Sequence, residues 1–203
     1  MPRAAARAVL FDLDGTLADT APDLARALNR VRAAKDLAPM PLEHTRAYTS
    51  SGARGLLKVG FGLNPEDEGY EALKLQFLEH YAAEICIDTR LFDGMAELLD
   101  RLDRDRVPWG VVTNKAERFT LPLLQGLRLH ERAACVVGGD TTARAKPHPD
   151  PLLHAAAALR LPPAACLYVG DDLRDIQAGR AAGMRVLAAR YGYLGDGGAI
   201  ESW

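Results

Sequence analysis

Two hydrophobic patterns divide the chain. Short apolar runs bounded by polar turn residues, as expected of strands buried on both faces of a parallel sheet, occur at residues 9–11, 107–112, 133–137, 165–169 and 185–189. Between the later runs lie stretches of helical spacing. One covers 94–104 through Met95, Leu98, Leu99 and Leu102, a second about 116–126, and a third, rich in alanine, about 151–159. Strand and helix signals alternating in this way predict βαβ units around a parallel sheet. The segment after the first strand is different. Asp19 or Thr20 can cap a helix that has Pro22 near its first turn, and Leu24, Leu28 and Val31 continue it at i, i+4 and i+7. The run Leu37-Ala38-Pro39-Met40-Pro41 ends that helix. From Leu42 to about Ala83 helical periodicity prevails, notably in Leu73, Phe77, Leu78 and Tyr81, interrupted by a small-residue stretch that contains Arg54. Residues 19–86 are therefore expected to form an all-helical insertion, with 1–18 and 87–203 making one α/β core.

Composition narrows the partners. A chain of 203 residues suffices for one large domain, or for a core domain with a smaller insertion. Lys and Arg number 25 against 27 Asp and Glu, a formal charge of −2, so there is no basic field for nucleic acid or an anionic membrane surface. No apolar run approaches the ~18 residues of a membrane span, and the apolar stretch after Arg7 is too short for a signal peptide. A cytoplasmic protein acting on a small molecule is the expectation, as a monomer or homodimer. Cys86, Cys135 and Cys166 are odd in number and far apart, which suits reduced core thiols. His44, His80, His130, His148 and His154 lack the spacing of a soft-metal site.

The chemistry concentrates at predicted strand ends. The first strand runs into Asp12-Leu13-Asp14-Gly15-Thr16, and in extended backbone Asp12 and Asp14 can point one way while Leu13 points the other. Two unit charges ~4 Å apart repel by about 4 kcal/mol at an effective dielectric of about 20, so the pair calls for a proton or a cation. Thr113 and Lys115 close another strand, Lys146 follows a third on its loop, and Asp171 and Asp175 follow a fourth. In open α/β sheets the ligand crevice lies outside those carboxyl ends. A phosphate ester gives each group a task. A carboxylate can attack phosphorus once a cation and hydrogen-bond donors have spread the charge. Mg²⁺ needs few protein oxygens, and Asp12, Asp171 and a backbone carbonyl would suffice. Thr113 and Lys146 can hold the phosphoryl oxygens, and Asp14 is placed to protonate the leaving alkoxide and then activate water.

Four stretches in this order, Asp12-Leu13-Asp14-Gly15-Thr16, Thr113-Asn114-Lys115, Lys146-Pro147 and Gly170-Asp171-Asp172-Leu173-Arg174-Asp175, resemble the haloacid dehalogenase superfamily and its Mg²⁺-dependent phosphatases. The resemblance implies a doubly wound, Rossmann-like parallel-sheet core with an inserted helical cap that closes over the substrate. It further implies Asp12 as the nucleophile of an aspartyl-phosphate and Asp14 as general acid and base. Its metal would be held by Asp12, the carbonyl of Asp14 and Asp171, with Asp175 in support, and Thr113, Asn114 and Lys146 would anchor the phosphate. Gly138-Gly139-Asp140 with Lys146-Pro147-His148-Pro149 is similar to the phosphoglycolate phosphatase group. A finer resemblance points to the N-acetylmuramic acid 6-phosphate phosphatases of bacterial wall recycling. It is carried by Ser51-Gly52-Ala53-Arg54, 92–99, 109–115, 171–176 and Arg190-Tyr191-Gly192-Tyr193. Asp172 and Arg174 stand where the phosphoglycolate group usually carries Ser and Asn. Both candidate substrates bear a carboxylate, which the planar fork of a guanidinium suits, and Arg54 is the residue expected to read it. A sugar phosphomutase shares the intermediate. A receiver-type signalling domain shares the sheet and the acidic cluster but has no helical insertion after its first strand. In a dehalogenase, Asp14 and the metal site would have no task.

Overall fold

The computed structural model of the protein describes residues 6–195 and 198–203. From the amino end come β1 (Ala8–Phe11), β2 (Ala18–Asp19), α1 (Ala21–Ala33), α2 (Leu42–Thr45), a 3-10 turn at Arg46–Ser51, α3 (Gly52–Phe61) and α4 (Tyr70–Ala83). Then follow β3 (Arg90–Leu91), α5 (Met95–Arg104), β4 (Trp109–Val112), α6 (Glu117–Gly126), β5 (Cys135–Val137), α7 (Asp150–Ala158), β6 (Cys166–Gly170), α8 (Leu173–Ala181) and β7 (Arg185–Ala188). Five of the strands form one parallel sheet in the order β5-β4-β1-β6-β7.

Alternation along the central strand explains the two layers that cover it. Leu10 packs with Val112, Tyr168 and the α7 and α8 residues Leu152, Ala155 and Ala178. Val9 and Phe11 pack on the opposite side with Val111, Met95, Leu99, Leu123 and Leu124, which belong to β4, α5 and α6. A strand buried on both faces has no polar positions to show, hence its uninterrupted apolar run. Trp109 is buried in the second layer, and its indole N–H finds the Asp103 carboxylate at 2.8 Å.

The ladders continue one residue beyond the strands, and this fixes where the polar residues begin. Asp12 N–H donates to the Val169 carbonyl at 2.8 Å, and Thr113 N–H to that of Val137 at 2.9 Å. Asp12, Thr113 and Asp171 thus emerge together at one edge of the sheet.

Between β2 and β3 the chain is helical, and these helices bury apolar surface among themselves through Leu24, Leu28, Val31, Leu56, Leu57, Leu73, Phe77 and Tyr81. Phe119 of α6 joins the same cluster from below. The outgoing and returning segments are tied at the neck. β2 pairs antiparallel with β3, Ala18 facing Leu91 and Asp19 facing Arg90. Asp23, buried in the first turn of α1, accepts the backbone N–H groups of Ile87, Asp88 and Thr89 as well as the Thr89 hydroxyl. Two-residue strands are too short to leave a periodic trace in sequence.

Among the described residues no helix is long and apolar enough to cross a membrane. The three cysteines are free thiols, Cys166 buried and the others half-buried.

Candidate active site

Lys146 is the centre of the site. It is buried, and its ammonium, with three N–H groups to give, lies within hydrogen-bond distance of Asp12 Oδ1 at 2.7 Å, Asp175 Oδ1 at 2.6 Å, the Tyr168 hydroxyl at 2.8 Å and the Val112 carbonyl at 3.1 Å. Tyr168 rises from β6 beneath the lysine and lies 2.9 Å from Asp175 Oδ1. Asp175 is held from its own helix as well. Its Oδ2 accepts the Asp172 N–H at 3.0 Å, half of a capping box at the start of α8 in which Asp172 is the N-cap.

Asp171 lies on the other side of Asp12, fully buried, and accepts from the Thr16 hydroxyl and the Tyr193 N–H, both at 2.8 Å. The chain can pass this close only without side chains. A Cβ on Gly15, whose φ is +86°, would lie 2.2 Å from Asp171 Oδ2, and one on Gly192 would lie 2.3 Å from Asp171 Cβ.

The Asp14 side chain turns to a different set of partners. Its Oδ1 accepts the Thr20 hydroxyl at 2.5 Å and pairs with Lys115 Nζ at 2.9 Å. Lys115 is in turn 3.0 Å from the hydroxyl of Tyr81, on α4, and lies over that ring. Asp12 and Asp14 therefore face one cavity with separate cationic partners, Lys146 and Lys115, while Leu13 points into the core. Thr20, although at the N-cap of α1, spends its hydroxyl on Asp14 rather than on its own helix. The N–H groups of Thr20 and Ala21 donate instead to the Tyr193 hydroxyl, at 2.8 and 2.9 Å.

Thr113 is buried at the end of β4, and its Oγ1 accepts the Lys115 N–H at 3.1 Å. Asn114 lines the cavity, but both ends of its amide are engaged by the Lys146 backbone: Nδ2 donates to its carbonyl and Oδ1 accepts its N–H, each at 2.9 Å. The geometry makes Asn114 the clamp that positions Lys146. The cavity has a volume of about 450 Å³. Core residues Asp12, Asp14, Thr113 and Lys146 line one side, and Leu24, Thr49, Ser50, Phe77, Leu78 and Tyr81 of the helical segment the other.

Arg54 is not brought to the cavity. It is exposed and outside the cavity wall, which reaches only from Thr49 to Ala53 along that stretch. The reason is helical phase. α3 starts at Gly52 and turns Gly55, Leu56, Leu57 and Gly60 inward, which leaves Arg54 on the outer face. The contacts of Tyr168, Tyr193, Thr16 and Thr20 leave no signal in the sequence, because their partners are close in space but share no pattern along the chain. Lys115 was legible as a polar residue at a strand end, two positions past Thr113, yet nothing local showed that it pairs with Asp14.

The donor set suits a hard divalent cation. One carboxylate oxygen from each of Asp12, Asp171 and Asp175, all buried, lie within 4.8 Å of one another. Burial pushes the Asp12 carboxyl up to about 8; Lys146 opposes this, while Asp175 and Asp171 add to it. Burial likewise lifts Asp171 to about 6 against its hydrogen bond from Thr16. Lys146 stays above the ordinary lysine range: burial disfavours its charge, but Asp12 and Asp175 more than offset that. A carboxyl whose folded value lies above the unfolded one stabilises the fold below the unfolded value, and that contribution is lost as pH rises through the folded value. Without metal the melting temperature is therefore expected to fall between about pH 4 and about pH 8, and millimolar Mg²⁺ to remove most of the fall. Thermal unfolding in chelator and in Mg²⁺ checks this; a flat profile unaffected by Mg²⁺ contradicts it.

Comparison with known proteins gives a consistent result. The family model described as haloacid dehalogenase-like hydrolase matches residues 9–189. An N-acetylmuramic acid 6-phosphate phosphatase of Pseudomonas putida is 47% identical over 188 residues, covering 93% of this chain and 84% of that protein. A phosphoglycolate phosphatase of Xanthomonas campestris is 45% identical over 191 residues, covering 94% of this chain and 86% of that protein. Among solved structures, a predicted phosphoglycolate phosphatase from Haemophilus somnus superposes with a TM-score of 0.81 at 28% identity, covering 92% of this chain and 86% of that one.

Proposed function

We propose, given that this chain belongs to the haloacid dehalogenase-like hydrolases and is a phosphatase of that family, that Asp12 carries the phosphoryl group through the reaction and that the enzyme depends on Mg²⁺. The observation that carries this reading is the Asp12 carboxylate, buried against Lys146 at the floor of the cavity, with a second carboxyl group, Asp14, on a separate cationic partner. Asp12 attacks phosphorus and forms an aspartyl-phosphate, while Asp14 gives its proton to the departing alkoxide. Asp14, now a carboxylate, takes a proton from the water that attacks phosphorus, and release of phosphate restores Asp12. Lys115 and Thr20 keep Asp14 oriented for both transfers. Lys146 and the Thr113 hydroxyl hold phosphoryl oxygens, and Asn114 fixes Lys146. Asp12, Asp171 and the Asp14 carbonyl would hold Mg²⁺, with Asp175 supporting from behind. Bound there, the ion supplies the positive charge that lets one anion approach another. Residues 19–86 act as a cap over the core formed by 1–18 and 87–203, and the bonds to Tyr81 and Asp23 support a closed neck and roof.

The substrate is a small phosphorylated acid or sugar acid of the phosphoglycolate phosphatase type. The cavity favours the larger of the two esters that the sequence leaves open. Its volume of about 450 Å³ and its apolar wall of Leu24, Phe77, Leu78 and Phe119 exceed what a two-carbon acid needs and suit the body of an amino sugar. The kcat/KM for N-acetylmuramic acid 6-phosphate is expected to exceed that for 2-phosphoglycolate by about tenfold or more. The reverse order would return the assignment to the smaller acid, and release of an isomeric sugar phosphate without free phosphate would make the enzyme a mutase.

A further inference from the structure

Arg174 stands in the cavity wall in the first turn of α8, and the phosphoryl chemistry gives it no task. Its Nε and Nη2 donate to the two oxygens of Asp172, each at 2.8 Å, and Nη2 also donates to the Ser50 carbonyl at 2.7 Å. These bonds use the single N–H of Nε and both of Nη2. The two N–H groups of Nη1 have no acceptor among the described residues. Asp172 is itself fixed, because its Oδ1 also accepts the Arg174 backbone N–H as the N-cap of the helix. The guanidinium is thus clamped through Nε and Nη2, and Nη1 alone is left with N–H groups to give an anionic ligand, a single charged contact rather than a two-nitrogen fork. The residue that supplies the Ser50 carbonyl adds a second observation. Ser50 Oγ is buried without a hydrogen-bond partner, and Ser50 lines the same cavity. A buried hydroxyl left unsatisfied in the wall of a cavity is an open position for a ligand group. The other cations in the wall are held differently: Lys74 pairs with Glu71, and the exposed Arg118 stacks on Phe119.

We infer that Arg174 Nη1 and Ser50 Oγ receive the substrate's carboxylate, the anionic group that is not transferred, and so make this a phosphatase for phosphate esters of carboxylic acids. The inference rests on the phosphatase reading above. It moves recognition from Arg54, outside the cavity, to the core helix that also carries Asp175. Ser50 comes from the helical segment and Arg174 from the core, so the pocket is complete only while the two are in contact, and the carboxylate favours that contact.

The test pairs each acid with an ester that lacks the carboxylate: N-acetylmuramic acid 6-phosphate with N-acetylglucosamine 6-phosphate, and 2-phosphoglycolate with ethyl phosphate. With Mg²⁺ present, Arg174→Gln is expected to lower kcat/KM for the preferred acid by about 10- to 100-fold and for its partner by less than about threefold. Arg174→Lys should recover part of the loss, and Ser50→Ala should lose about threefold on the acid alone. Equal losses on acid and partner would assign Arg174 to the phosphoryl group or to the fold, and wild-type turnover that ignores the carboxylate would overturn the inference outright. Calorimetric binding of the acids to Asp12→Asn and to Asp12→Asn/Arg174→Gln separates recognition from chemistry. Binding weakened by the second change supports the inference even where turnover fails to support the phosphatase reading; equal binding contradicts it.

Discussion

Asp12→Asn is expected to lower kcat by about 10⁴-fold or more without weakening the fold. The amide is nearly the same size as the carboxylate, and its oxygen can still accept from the Lys146 ammonium, which lies 2.7 Å from Asp12 Oδ1. What it loses is nucleophilicity towards phosphorus. Removing the atom that forms the covalent intermediate leaves only positioning and charge stabilisation, and a 10⁴-fold loss corresponds to about 5 kcal/mol of barrier. Stability should move the other way. Asp12 is one of three buried carboxylates, and burial already pushes its carboxyl up to about 8. Above that pH, neutralising the side chain removes a charge that the metal-free fold must hold against Asp171 and Asp175. The metal-free variant should therefore melt at or above the wild-type temperature near pH 8. Steady-state kinetics and thermal unfolding on one preparation check both halves. Normal turnover would remove Asp12 from the chemistry, and a large fall in melting temperature would attribute lost activity to misfolding.

Lys146→Met combines a loss of activity with the largest loss of stability. The lysine ammonium is the counter-charge of Asp12 and Asp175 and also meets Tyr168 and the Val112 carbonyl, all in the buried floor of the site. Methionine fills much of the volume but leaves those carboxylates without their cation. Removing one member of a buried ion pair costs about 3–5 kcal/mol, which for a chain of this size lowers the melting temperature by roughly 6–20 °C. Mg²⁺ should restore part of that loss, since it supplies positive charge to the same carboxylates. Activity should remain at least about 100-fold low even in saturating Mg²⁺, because a donor to the phosphoryl oxygens has gone. Thermal unfolding with and without Mg²⁺ checks this, and a melting temperature within about 2 °C of wild type in chelator would contradict it.

Much of this arrangement is legible in the sequence, and the exceptions share a cause. The apolar runs mark the five parallel strands to within a residue or two; the central β1 and β4 are buried on both faces, and a run such as Val9-Leu10-Phe11 has no other plausible home. The strand-end carboxylates are legible because like charges so close together need a cation. The partners that orient them are not. Tyr193 lies 22 residues from Asp171 in the chain, and Thr16 is separated from it by 155. No local periodicity joins such residues; only the closed sheet edge does. Lys115 and Tyr81 meet because α4 is folded over the end of β4. Arg54 lies apart from the cavity for the opposite reason. Its residue type suited the task, but recognition depends on helix phase, and the first turn of α3 puts Ala53 on the cavity side and Arg54 outside. Asp172 and Arg174 stand out in the sequence only as departures from a related group's wording, and the contact with Ser50 shows them in the cavity wall.

The central claim, that Asp12 itself carries the phosphoryl group, is tested most directly by rapid acid quench with substrate labelled in its phosphate. The measurement is made on wild type at millisecond times and, over longer times, on Asp14→Asn, in which the leaving alkoxide lacks its acid and the water step its base. Protein-bound label is expected in both. It should be released by hydroxylamine, as an acyl-phosphate is, and should map to Asp12 by reduction of that residue and peptide sequencing. Label on another residue, or phosphate release with none bound to the protein at any time in either enzyme, would contradict the account.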